Sequence, residues 1–268
     1  MRVVIVGAGN MGSWLVESLC LDHEVGVYDI DRNKLKYFFN TRKFLYYEEI
    51  HDYCPDILIN AVSLENTIKV FQEIIPYLPK ECIIADITSV KSGLAGFYGD
   101  LGRRFVSTHP MFGPTFASVK NLRNENAIII KESDEEGKEF FREFYNSMKL
   151  RIHEYTFEEH DQTIAYSLSI PFSSTMVFSA CMKEQEAPGT TFKKHHDIAK
   201  GLLSEDDYLL TEILLSPFSL EQVERIKDKL VDLIEMIKRG DKAKLQEFFG
   251  MLRQNIGMHN QVKEESQS

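Results

Sequence analysis

Cysteine is scarce and scattered in this 268-residue chain. Cys20, Cys54, Cys82 and Cys181 form no CxxC pair, so their spacing offers neither a zinc site nor a disulfide framework, and buried thiols are expected. Long apolar runs are missing too: no stretch approaches the roughly 20 apolar residues of a membrane helix, and no membrane partner is expected. The opening MRVVIVGAG has one basic residue and a short apolar run without a small-residue cleavage site, unlike a secretory signal, so a cytoplasmic protein is expected. Positive charge is in deficit. Against 41 acidic residues stand 31 basic ones, a net charge of −10, which argues against nucleic acid as a partner. Any anionic small molecule must therefore be met by local cations. Internal repeats and low-complexity linkers are absent, and no His/Cys/carboxylate spacing marks a metal site.

What is present is a change of period. In the first half RVVIVG, EVGVYD, DILINAV, CIIADIT, RFVSTHP and NAIIIK read as strands separated by helical segments, with weaker strand character near KFLYY and a last strand at LRIHEYT. This is the βαβ rhythm of a mostly parallel sheet covered on both faces. SDEEGKEFFREFYNSM reads as a helix capped by Ser133. From about Thr156 the spacing becomes helical: FEEHDQTIAYSLSI, SSTMVFSACMKE, EDDYLLTEILLS and SLEQVERIKDKLVDLIEMIKRG, the last ended by Gly240, followed by AKLQEFFGMLRQNIGMH and a polar tail.

GAGNMG at residues 7–12 fits G-x-G-x-x-G between the strand RVVIV and a helix. Gly7 permits the tight turn, Gly9 lets backbone approach a pyrophosphate, and Gly12 allows helix to pack on strand, with the helix N-terminus supplying partial positive charge. Asn10 and Met11 belong to the same loop, and Val62 and Ser63, after the strand DILINA, complete the expected cofactor set. Asp29, ending EVGVYD, stands where a carboxylate takes a ribose 2′-hydroxyl, which favours NAD. Arg32 is close enough to meet a 2′-phosphate, so NADP is not excluded. The expected fold is α/β: an N-terminal Rossmann-type doubly wound, mostly parallel sheet over residues 1–155, then an all-helical C-terminal dimerisation domain over 156–262 and a polar tail at 263–268. A homodimer through those helices is expected.

Two further segments carry chemistry. DITSVKSG, residues 86–93, leaves a strand and offers the hydroxyl of Ser89 and the amine of Lys91; THPMFGPT, residues 108–115, places His109 at the end of another strand. Ligands in such sheets bind outside the carboxyl ends of the strands, so both loops should face the nicotinamide end of a dinucleotide. Behind His109, Pro110 fixes φ, Gly113 allows a turn and Pro114 restrains the next bend, a backbone suited to aiming the ring. Taken singly, Ser89 reads as a helix cap, Lys91 as a solvated charge and His109 as a core histidine.

DITSVKSG and THPMFGP, followed by HDQTIA at 160–165, resemble the prephenate dehydrogenase family from Gly7 to about Ser216. The resemblance implies NAD-dependent oxidative decarboxylation of prephenate to 4-hydroxyphenylpyruvate, a step of tyrosine biosynthesis. It implies His109 as the base, which suits an imidazole of ordinary pKa about 6.5. By the same resemblance Ser89 would hydrogen-bond the histidine or the substrate hydroxyl, Lys91 would add positive charge near the reacting ring, and Thr115 would lie beside the substrate. In GTTFKKHHDIAKG, Phe192 and Lys193 fall where the family has an aromatic residue and an arginine for a substrate carboxylate. Lysine lacks the planar fork of arginine, so Lys194, His195 or His196 could share that role. Ser169 and Phe172 stand where members often carry histidine, which leaves the choice between prephenate and its amino counterpart arogenate open. His160 and Asp161 are assigned to folding at a helix start. Other readings are a β-hydroxyacid or imine dehydrogenase, and a dinucleotide-sensing protein without turnover.

Overall fold

The computed structural model describes residues 1–113, 122, 123 and 125–258. The chain divides into two compact units, Met1–Ser219 and Leu220–Ser268.

In the first unit the elements run β1 (Arg2–Val6), α1 (Asn10–Leu19), β2 (Glu24–Tyr28), β3 (Arg42–Phe44), α2 (Glu48–Tyr53), β4 (Ile57–Asn60), α3 (Thr67–Ile74), β5 (Ile83–Asp86), α4 (Leu94–Leu101), β6 (Phe105–Pro110), β7 (Asn126–Ile130), α5 (Glu135–Ser147) and β8 (Arg151–Tyr155). Helices follow: α6 (Phe157–Ile164), a π-helical stretch (Ala165–Ser169), α7 (Ile170–Cys181), α8 (Thr190–Leu202) and α9 (Asp207–Leu215). The eight strands form one sheet in the order β3-β2-β1-β4-β5-β6-β7-β8. Neighbours are parallel except β6 and β7, which are antiparallel. The order reverses between β1 and β4, the switch point where ligands of doubly wound sheets bind.

Strand sequences that read as nearly continuous apolar runs follow from burial on both faces. Val3, Ile5, Ile57, Ile59, Ile83, Ala85, Val106, Ala127 and Ile129 pack with Trp14 and Leu15 of α1 and Phe141 and Phe144 of α5. The alternate residues Val4, Val6, Leu58, Ile84, Ile128 and Ile130 pack with Ile50, Phe71, Leu94 and Tyr98 on the other face. Each fully buried aliphatic side chain in these layers contributes about 1.5–3 kcal/mol relative to exposure. This framework holds the strand ends rigidly enough to carry chemistry.

Four readings are corrected. The cap of α5 is Asp134, whose carboxylate accepts from the backbone N–H of Glu136 and Gly137; the Ser133 hydroxyl instead accepts from the Ser107 N–H. The N-cap of α6 is Thr156, which forms a capping box with Glu159, so His160 and Asp161 are not needed as caps. The segments read as separate helices on either side of Pro171 are continuous. Phe157–Cys181 is one 25-residue helical run, apolar and long enough by composition to cross a bilayer, which the sequence reading denied. In the structure its start is docked on the sheet through Phe157 and His160.

The helix α10 (Ser219–Arg239) begins on the last residue of the first unit, and the second unit consists, among its described residues, of the rest of α10 and α11 (Lys242–Asn255). Gly240 ends α10 with a positive φ of 63°. Leu230, Ile234 and Ile237 on α10 and Phe249, Met251 and Leu252 on α11 are exposed.

Candidate active site

The loop after β1 is built to leave room for a ligand. Gly7 has φ +100°, and a Cβ there would stand 2.7 Å from the Ala61 carbonyl oxygen, so the turns after β1 and β4 touch at the switch point. At Gly12 a Cβ would fall 1.8 Å from the Gly7 oxygen, which brings α1 against the turn. Gly9 differs: nothing lies within 4 Å of its Cβ position. It is also the N-cap of α1 and satisfies no helix N–H with a side chain. Open space in front of free N–H groups at a helix N-terminus fits a pyrophosphate. Asn10 is exposed and Met11 half-buried at the same end, with half-buried Val62 and exposed Ser63 across the switch point.

Asp29 closes the other side of this cradle. Its carboxylate accepts from the Ala8 N–H at 2.6 Å and the Asp31 N–H at 2.8 Å, and Lys34 lies 3.6 Å away. The residues present therefore fit a dinucleotide: a glycine turn for the phosphates and a carboxylate at the end of β2 for the ribose. Arg32 is exposed with its guanidinium over the Tyr46 ring at 5.0 Å. Lys34, which the sequence reading missed, is a second cation at this rim.

Further along the same sheet edge lies His109, in β6 and 7% exposed. Its Nδ1 is 3.1 Å from Nε2 of His160, whose Nδ1 is 3.0 Å from a carboxylate oxygen of Asp161. A carboxylate only accepts, so His160 donates from Nδ1 and, being neutral, accepts at Nε2; His109 then donates from Nδ1. The outcome is a free lone pair on His109 Nε2. Burial, then the neighbouring His160 and Lys91, push His109 well below its ordinary value. Burial also lowers His160, partly opposed by Asp161. Both rings are therefore neutral at neutral pH, and His109 is available as a proton acceptor. HDQ thus contributes to the site, and its assignment to helix-start folding is corrected.

Lys91 is fully buried against Asp86 at 2.6 Å, neither side chain having any exposed surface. Its ammonium also donates to the Thr108 carbonyl at 2.8 Å and the Thr88 hydroxyl at 3.3 Å. Three donors meet three internal acceptors, leaving none for a substrate. The expectation that Lys91 adds charge directly at the reacting ring is corrected accordingly. Burial disfavours both charges, but the Lys91 contact outweighs it on Asp86, which stays below the usual carboxylate range. Removing one partner alone would strand the other, at about 3–5 kcal/mol. Ser89, on the same loop, is half-buried.

Other expected substrate residues stand apart from His109. Ser169 is completely buried, 2.7 Å from the Ser219 hydroxyl, which itself donates to the Ile213 carbonyl. Its one proton is spent inside the helices, so its expected substrate contact is corrected to packing. Lys193 is exposed and His196 half-buried on α8, where His196 stacks on Phe192 and Phe192 packs against Phe178. No hydrogen bond or ion pair among the described residues ties α8 to His109. Thr115 and Pro114 lie outside the described residues. Gly113 does not use a left-handed φ, so its expected special turn is not what shapes the loop after His109.

A glycine cradle at the switch point, with a neutral buried histidine at a neighbouring strand end, defines a class: Rossmann-type proteins fitted to a nicotinamide dinucleotide. Residues 20–152 match the family model described as "Prephenate dehydrogenase, nucleotide-binding domain", the domain that the chain carries. The chain is 24% identical over 217 residues to the T-protein of Enterobacter agglomerans, covering 76% of this chain and 56% of that one. It is also 24% identical over 202 residues to a probable arogenate/prephenate dehydrogenase of Methanocaldococcus jannaschii, covering 70% of this chain and 45% of that one. The chain thus spans about half the length of these curated relatives. Its fold matches that of prephenate dehydrogenase from Aquifex aeolicus, solved in complex with hydroxyphenyl propionate and NAD+, with TM-score 0.82, 19% identity and coverage of 97% and 98% of the two chains. Synechocystis arogenate dehydrogenase follows with TM-score 0.74, 18% identity and coverage of 96% and 99%.

Proposed function

We propose that the chain is an NAD-dependent prephenate dehydrogenase of tyrosine biosynthesis, converting prephenate to 4-hydroxyphenylpyruvate and carbon dioxide. The observation that carries this reading is the Asp161–His160–His109 chain of hydrogen bonds, which leaves His109 Nε2 free at the edge shared with the glycine cradle. Gly7, Gly9 and Gly12 would hold the cofactor's phosphates, with Asp29 at its ribose. When bound, the nicotinamide supplies the hydride acceptor. His109 Nε2 takes the proton of the ring hydroxyl as hydride leaves the same carbon, and the ring carboxylate departs as carbon dioxide. Ser89 holds the substrate hydroxyl or the ring of His109. Lys193, with His196 near it on α8, meets a carboxylate. Residues 1–155 bind the cofactor and 156–262 the substrate.

The exposed apolar residues of α10 and α11 support a homodimer through these helices. The enzyme acts in the cytoplasm on a small molecule, without nucleic acid or membrane as partner. Arogenate is the second reading, supported by the fold shared with the Synechocystis enzyme and by the likeness to a probable arogenate/prephenate dehydrogenase.

Purified protein is incubated with NAD or NADP and either substrate while absorbance of the reduced cofactor is followed. Prephenate with NAD is expected to turn over. Turnover of arogenate alone would replace the first reading with the second, and bound cofactor without turnover of either would remove both.

A further inference from the structure

The register of β5 and β6 ends with Asp86 opposite Ser107, so the next carbonyl of β6, that of Thr108, has no partner in β5. Lys91 fills that position. It leaves the turn after β5, reaches back into the sheet and donates to the Thr108 oxygen at 2.8 Å, one residue before His109. The ammonium is itself held by Asp86, and the second carboxylate oxygen of Asp86 accepts from Tyr98 of α4 at 2.8 Å. Tyr98 in turn stacks on Phe105 at the start of β6, with ring centroids 4.2 Å apart. The other side of Thr108 is fixed by its hydroxyl, which donates to the Ile128 carbonyl and meets the Tyr145 hydroxyl.

We propose that Lys91, paired with Asp86, is a positioning residue: its ammonium takes the place of a missing strand neighbour at Thr108 and so fixes where the His109 ring leaves the sheet. The proposal rests on His109 being the base, and it separates Lys91 from the groups that touch substrate. Among the described residues, the charged and titratable groups around His109 are His160 and Asp161 from α6 and Lys91 with Asp86 from the β5 turn; β7 presents Ile128 opposite it. Of the buried pair, it is the ammonium that weighs on His109 and disfavours its protonated form.

Lys91→Met alone strands the Asp86 charge and is expected to unfold. The informative variant is Asp86→Asn with Lys91→Met, which removes both charges together. It is expected to melt cooperatively and bind NAD like the parent. Its kcat should fall about tenfold to a hundredfold, the penalty of a displaced reacting group, with KM for the substrate little changed. NMR titration of the His109 ring should move upward toward the ordinary histidine value, and the acid limb of the pH profile should move with it. Raised KM at unchanged kcat would make Lys91 a substrate ligand and overturn the proposal. An unaltered kcat and His109 titration would reduce the pair to packing. A double variant that neither binds NAD nor melts cooperatively would make the pair a requirement of the fold, which also overturns it. The titration needs no turnover, so failure of the proposed activity and failure of this inference are read separately.

Discussion

His109 and His160 show how a histidine pair can be assigned distinct roles from its partners alone. His160 is saturated, between Asp161 on one nitrogen and His109 on the other, while His109 has a nitrogen to spare. His109→Asn keeps a donor toward His160 and nearly the same volume. It should leave the melting temperature and NAD affinity close to those of the parent and lower kcat by about two to four orders of magnitude, the range for loss of a general base. A kcat within error of the parent would remove His109 from the chemistry. The sequence marked His109 through the stiff residues around it, but not His160, because their contact joins positions 51 residues apart. A visible signal existed: an acidic residue directly after a histidine in a segment resembling the family. Lys91 was legible as a special residue and misjudged in role, since nothing in DITSVKSG says that the lysine folds back onto its own Asp86.

Among the elements, the strands were the most legible, because a strand buried on both faces must be apolar throughout and is bounded by turns. Helix joints were not. Pro171 reads as a break, yet it sits at the start of α7 after the π-helical stretch Ala165–Ser169, where a proline's missing N–H is tolerated. The cap of α5 was misplaced by one residue because Ser133 and Asp134 are both good caps, and the free N–H of Ser107 claims the serine. The turn into α1 offers a sharper test of element geometry. Gly12→Ala puts a methyl 1.8 Å from a backbone oxygen, so helix and turn must separate; folding and cofactor binding should be lost together. Gly9→Ala adds a methyl into open space. It should fold with an unchanged melting temperature and bind NAD more weakly, because the methyl occupies the room left for the pyrophosphate. Equal NAD affinity in Gly9→Ala and the parent would place the phosphates elsewhere.

For the molecule as a whole, acidification sets two effects against each other. A net charge of −10 repels itself less as carboxylates protonate, which favours the compact state on mild acidification. His109 and His160, both lowered by burial, act the other way. In the unfolded chain they protonate near the ordinary value of about 6.5, whereas the folded protein resists protonation until a lower pH. Below that value the unfolded state binds more protons, so stability is present above it and falls as pH drops toward the folded values. Each histidine can contribute a slope of up to about 1.4 kcal/mol per pH unit. Diffuse surface repulsion is screened by salt and the buried rings are not, so the histidines should dominate at moderate ionic strength. Trp14, the single tryptophan, is buried 5.3 Å from Phe112 and 5.5 Å from Phe144, and its fluorescence reports the unit that holds both rings. Urea titrations followed by that fluorescence should show stability declining from pH 6.5 to 5, with a shallower decline in His109→Asn, which has one fewer ring to protonate on unfolding. Stability that rises over this interval, or an identical slope in the variant, would mean that the His109 ring is already charged or solvated in the folded protein, and the neutral relay would have to be abandoned.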